Sequence, residues 1–390
     1  MNTQPEHSRA GERSGVRPAI QVTAAGATAE PDRGGHVATG TEDENSSAPE
    51  FLSYPDLASR ALAGSVVAAN DELFAQRENL ISAHRPAFDP ADFGHKGKVY
   101  DGWETRRRRD DGNDWAIVRL GVPGVVHGVV VDTAWFRGNY PPFISVEAVA
   151  LDGYPSVSDL LEADWRTLVP RSDALGDTPN YYAVDSDRRW THVRLSIYPD
   201  GGVARFRVHG EAVPDPDFLT GTIDLAAAEN GGSLAYASDA FYSSPAAIIL
   251  PGRARNMGEG WENARRRGPG NDYAIFSLAQ RGTIAHVEVD TSYYVGNAPG
   301  WVRLSVADLA PGADLDTSPD GEGGQWTDIL AKVAVQADTR HRFLTDTSVP
   351  ATHLRLDVYP DGGLSRLRAW GELSEEDLTR ARARYDETRP

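Results

Sequence analysis

The chain has no cysteine among its 390 residues. Disulfides, thiolate nucleophiles and cysteine zinc sites are therefore excluded, and a reducing compartment, by default the cytoplasm, is expected. Long apolar runs are also missing. No stretch approaches the ~20 residues that span a bilayer, so no membrane partner is expected. Positive charge is in deficit, with 39 Lys and Arg against 57 Asp and Glu, a formal balance of -18. Such a chain repels nucleic acid at long range, and the arginine run at 106–109 is then a local device suited to a small anion. The first fifty residues contain no aromatic and no leucine. They cannot bury enough surface to offset the entropy of ordering, so residues 1–50 read as a disordered tail. They also lack the apolar centre of a secretion signal. HExxH and GxSxG motifs are absent, and the segment 94–98 is too short for a phosphate-binding loop.

What the chain does have is an internal repeat. Gly102, Trp103, Glu104, Arg107, Arg108, Arg109, Gly112, Asn113 and Asp114 recur 158 positions later as Gly260, Trp261, Glu262, Arg265, Arg266, Arg267, Gly270, Asn271 and Asp272. Val131, Asp132 and Thr133 return as Val289, Asp290 and Thr291, and Gly138 and Asn139 as Gly296 and Asn297. Later in each copy the hairpin THVRLSIYPDGG is matched by THLRLDVYPDGG. Two like-folded domains follow, over 51–213 and 219–373. The segment at 213–217, with two prolines, is the linker, and residues 85–100 are an insertion in the first copy. A closing helix over 374–390 is expected, with Ser374 as its cap.

Val193, Leu195 and Ile197 alternate with polar residues, a period of two, and Pro199, Asp200, Gly201 and Gly202 supply turn chemistry. Short alternating strands of this kind throughout both copies argue an all-β protein made of two β-sandwiches. His192 and His353 are the only equivalent histidines and read as solvated strand residues. Trp103 and Trp261 read as core packing.

The duplicated residues are mostly charged, amide and glycine, which a core does not need. They precede strands, so they fall on loops at a sheet rim, where Glu104, Arg107, Arg108, Asn113, Asp114, Asp132 and Asn139 can converge. Guanidinium groups bind carboxylates through paired hydrogen bonds, and carboxylates and Asn amides take the edges of a urea or amide. A small anionic ligand rich in nitrogen fits such a patch. The alternative for any one member is an ion-pair network that supports the loop.

The segments DGWETRRRR, GNDWAIVRLG, VDTAWFRGNYPP and THVRLSIYPDGG, with their second copies EGWENARRR, GNDYAIFSL, VDTSYYVGN and THLRLDVYPDGG, resemble the allantoicase family. The resemblance covers residues 51–372, both repeats in order. It implies a tandem pair of jelly-roll, galactose-binding-like sandwiches, hydrolysis of allantoate to ureidoglycolate and urea in purine catabolism, and a homo-oligomer. On that chemistry Glu104 or Glu262 is the expected acid, Asp114 or Asp132 the base, and Arg107 and Arg108 the carboxylate clamp. Asn113 and Asn139, with Arg265, Arg266, Asn271 and Asp272 of the second copy, complete the expected substrate contacts. The first copy, with its four consecutive arginines and Tyr140, is the expected seat of the chemistry. No cofactor is expected; the abundance of Asp and Glu leaves room for a carboxylate-bound divalent metal ion, although no motif indicates one. The alternative is a non-catalytic tandem β-sandwich that binds a small ligand.

Overall fold

The computed structural model describes residues 17–22, 48–321, 323–345 and 348–390. The first repeat is built from β1 (Arg17–Val22), β2 (Ser65–Ala69), β3 (Asp114–Asp132), β4 (Phe143–Val149), β5 (Arg166–Asp173), β6 (Pro179–Asp185), β7 (Arg189–Tyr198) and β8 (Arg205–Ala212). All pairings are antiparallel, and β3 serves both layers of a sandwich. Its first half lies between β2 and β7, with β4 and β5 beyond β7. Its second half lies between β8 and β6. Gly121, Pro123 and Gly124 interrupt the alternation of side chains in the middle of β3. Those residues mark the bend by which one strand crosses from layer to layer, as a strand does at a sandwich corner.

The second repeat copies this plan with β9 (Ser233–Ala237), β10 (Asp272–Asp290), β11 (Trp301–Ala307), β12 (Thr327–Ala334), β13 (Arg340–Leu344), β14 (Pro350–Tyr359) and β15 (Arg366–Leu373). Here β10 takes the place of β3, lying between β9 and β14 and then between β15 and β13. The fold is thus a tandem of all-β sandwiches, as expected. Val193, Leu195 and Ile197 of β7 are fully buried between the layers with Val129, Val131 and Phe206.

Two expectations fail. The tail is not structureless at Arg17–Val22, because β1 pairs with the outer edge of β6. The attraction is the row of backbone N–H and C=O groups that any edge strand presents, which needs no apolar side chains. Residues 1–16 and 23–47 of the expected tail lie outside the described residues. His192 is not solvated but 1% exposed. The outer face of β7 is covered by a second apolar cluster of Ala68, Ile117, Val149 and Leu160, the last from the short helix α1 (Val157–Glu162). Burial holds the His192 ring neutral, its pKa pushed down to about 4. Trp103 and Trp261 are core residues, each fully buried, with the indole N–H donating to the Asp71 and Asp239 carbonyls respectively.

Helix α2 (Glu375–Glu387) closes the chain, with the Ser374 hydroxyl accepting from the Asp377 N–H at 3.1 Å. It reaches back to the first repeat. The Arg189 N–H donates to the Thr388 carbonyl at 2.7 Å, Arg384 pairs with Glu211 at 2.7 Å, and the Arg189 guanidinium lies 3.7 Å over the Tyr385 ring. Among the described residues no helix is long and apolar enough to cross a membrane.

Candidate active site

The repeated polar stretch runs along the rim of each sandwich, opposite the turn that follows β7 or β14. Trp103 and Glu104 pair antiparallel with Gly202 and Val203, and Trp261 bridges to Leu364. Gly363 is required at the rim of the second repeat, since a Cβ there would lie 1.9 Å from the Tyr294 ring. Gly202 faces Phe136 in the same way.

Past the glutamate, the arginine run takes opposite sides in turn, the alternation of an extended chain. Arg108 points inward, Nη1 at 2.5 Å from Asp114 Oδ1, with its own N–H donating to Asp200 at 2.8 Å. Arg266 repeats this, its guanidinium bonded to Asp272 and its N–H donating to Asp361 at 2.6 Å. Asp114 and Asp272 are almost fully buried. Arg106, although exposed, also pairs with a buried aspartate, Asp71, at 2.5 Å. Arg107 and Arg109, and in the second copy Arg265 and Arg267, take the exposed side.

In the second repeat that exposed side opens on a cavity of about 360 Å3, lined by Tyr242, Glu262, Asn263, Arg265, Arg267 and Asn297, with the Asp361, Gly362 and Gly363 turn. The Asn297 amide donates to Glu262 Oε1 at 2.7 Å, and Asn139 makes the same 2.7 Å bond to Glu104. One carboxylate oxygen of each glutamate is so fixed. Desolvation pushes the Glu104 carboxyl above its ordinary value, and the Asn139 bond works against that shift.

Of the expected residues, the structure gathers Glu262 and Arg265 at the cavity and joins Glu104 to Asn139 at the equivalent rim, where Arg107 is exposed. The others lie elsewhere. Arg108 and Arg266 hold buried aspartates, so they and Arg107 cannot form one clamp on one side of the chain. Asp114 and Asp272 are their ion-pair partners and are shielded from any ligand. The Asn113 and Asn271 amides donate to the carbonyls of Asp114 and Asp272, and Asn271 also to Asp357. Asp132 caps its own turn, accepting from the Ala134 N–H at 2.9 Å, and burial raises its pKa. Residues not foreseen are Asn263, Arg267, Asn297, Tyr242 and Asp361. The period of two in the arginine run was the signal that could have separated Arg265 and Arg267 from Arg266. Tyr140 packs its ring on Gly176 in the first copy, where the second has Ala298 beside the cavity.

Among the described residues no three His, Asp or Glu side chains come together as a metal cage.

Two β-sandwiches in tandem, each with a Glu–Asn pair and outward arginines on its copy of the rim loop, define a class of repeat protein. The chain belongs to the allantoicase family: the family model described as the allantoicase repeat matches residues 55–213 and again 223–374. A relative named probable allantoicase from Nocardia farcinica is 52% identical over 327 residues, covering 83% of this chain and 95% of the relative. The allantoicase of Dictyostelium discoideum is 41% identical, covering 82% and 88%. The crystal structure of allantoicase from Saccharomyces cerevisiae superposes with a TM-score of 0.71 at 33% identity, covering 83% of this chain and 96% of that one.

Proposed function

We propose that the protein hydrolyses allantoate to ureidoglycolate and urea in purine catabolism, and that the reaction takes place in the second-repeat cavity. The observation that carries the site is the convergence on that cavity of Glu262, fixed by Asn297, with Arg265 and Arg267, neither of which is held in an ion pair among the described residues. Arginine is suited to the task because its planar fork takes both oxygens of a carboxylate.

Allantoate bears a carboxylate and two ureido groups on one carbon. With the carboxylate on Arg265 and Arg267, the Glu262 carboxyl delivers a proton to one ureido nitrogen as its bond to the central carbon breaks. The bonding pair leaves with urea, and the remaining ureido nitrogen forms a double bond to the carbon. Glu262, now a carboxylate, takes a proton from water while the water oxygen adds to that carbon, giving ureidoglycolate. This route uses no resident metal, and assays with and without chelator test that part of it. A cytoplasmic homo-oligomer with neither nucleic acid nor membrane as partner completes the proposal, supported by the lack of cysteine, the net negative charge and the family resemblance.

Glu262→Gln keeps the shape and the Asn297 contact but removes the transferable proton, so turnover in a urea-release assay is expected to fall roughly 100 to 10,000-fold. Glu104→Gln is expected to cost little in rate. A second reading seats the chemistry in the first repeat, because the raised pKa of Glu104 already suits a general acid; the reversed pattern in the two variants would establish it. Absence of urea release by the wild-type protein would favour a non-catalytic binding protein.

A further inference from the structure

Asn263 lies next to Glu262 and is only 5% exposed. Its amide oxygen accepts from the Gly362 N–H at 2.8 Å, which fixes the orientation of the side chain. The amide nitrogen is buried and has no hydrogen-bond partner among the described residues. A buried donor left unmade is unfavourable, and native proteins keep few of them. The first repeat does not carry this defect. Its equivalent is Thr105, whose hydroxyl accepts from the Gly201 N–H at 3.2 Å and lies 3.4 Å from the Gly201 carbonyl. Both side chains therefore support the same turn, but only Asn263 adds a second polar group left without a partner among the described residues, and Asn263 is one of the residues that line the cavity.

We propose that Asn263 Nδ2 donates a hydrogen bond to the carbonyl oxygen of the departing ureido group. The proposal rests on the reading that the second-repeat cavity is the reaction site. The chemistry of the wall selects the acceptor: the two arginines complement a carboxylate, and an uncharged amide N–H complements an uncharged carbonyl. A bond to that oxygen strengthens as electron density moves onto the leaving urea, so it serves both binding and expulsion. The group recognised is a terminal urea, and a substrate with a plain amine in its place leaves Nδ2 unpaired.

Asn263→Thr separates the two duties, because the first repeat shows threonine supporting this turn. The full chain carrying Asn263→Thr should melt near the wild-type temperature. Its kcat/KM for allantoate should fall roughly 10 to 100-fold, as expected when a hydrogen bond in a buried site is lost. Inhibition by the product urea should weaken by a similar factor, while inhibition by a small carboxylate such as glycolate stays unchanged. Asn263→Asp keeps the acceptor for Gly362 and sets a negative charge against the carbonyl, so it should lose more activity than Asn263→Thr. Thr105→Asn in the first repeat should change none of these. Weaker glycolate inhibition with unaltered urea inhibition would overturn the ureido assignment. Full activity of Asn263→Thr beside an inactive Glu262→Gln would overturn the role of Asn263 alone. Full activity of both would remove the reading of the site beneath it, and this role with it.

Discussion

At the scale of single residues, neighbouring arginines in one run have opposite duties. Arg266 compensates a buried carboxylate, so Arg266→Leu leaves Asp272 charged and unpaired and should cost about 3 kcal/mol of stability, the range seen when one partner of a buried pair is removed. Arg265→Lys keeps the charge but loses the fork, so KM for allantoate should rise with the melting temperature unaltered. Thermal melts and steady-state kinetics of the two variants, side by side, check this; a stability loss at Arg265 with none at Arg266 would contradict it. Glu104 supplies a pH test. Its folded pKa is raised by burial, so its ionisation favours unfolding. Stability from this group is full below its unfolded pKa and is lost as pH rises through the folded one. Glu104→Gln lacks that loss, so its melting temperature relative to wild type should improve from pH 4 to pH 7. A gap that does not change over this window would show that Glu104 titrates alike in both states.

At the scale of elements, α2 belongs by sequence to the second repeat but bonds to the first. Its start depends on the Ser374 hydroxyl, which accepts from the Asp377 N–H and donates to the Asp377 carboxylate at 2.6 Å. Ser374→Ala should cost about 1 kcal/mol, the usual worth of such a cap. A denaturant titration checks it, and loss of the Arg384 to Glu211 contact should accompany any fraying of the helix. The rim turns after β7 and β14 show the same economy. Asp200 and Asp361 each receive the N–H of an inward arginine, so a hairpin from the end of the repeat holds a loop from its beginning.

At the scale of the whole molecule, the repeats are joined by more than a linker. An apolar groove between them is lined by Leu52, Tyr54, Leu62, Leu234, Ile249 and Leu250, and α2 covers Arg189 on the first sandwich. A fragment of residues 51–213 would expose both surfaces and should be unstable or aggregate. Size-exclusion chromatography and circular dichroism of that fragment test this, and a soluble, monomeric, cooperatively melting product would show that each sandwich stands alone. Removal of residues 1–22 should free the edge of β6, and any melting change it causes measures what β1 contributes.

The sequence by itself determined the repeat, the all-β class and the rim location of the duplicated residues. These follow from local chemistry: alternation at a period of two, prolines and glycines at turns, and polar residues conserved between copies where a core needs none. It also singled out the glutamate pair, but the same signal singled out Asp114 and Asp272, which the structure pairs with Arg108 and Arg266 as loop supports. What only the tertiary structure decided is which side chains share a space. Arg265 and Arg266 are adjacent in sequence, yet one reaches the cavity and the other a buried aspartate, since an extended chain turns successive residues to opposite sides. Asn297 meets Glu262, and Asn263 meets Gly362, across separations that no local pattern encodes. The burial of His192 has the same origin, because its strand looked half-solvated until another segment covered it. Composition could not foresee β1, whose pairing depends on an open strand edge supplied by residues more than a hundred positions away.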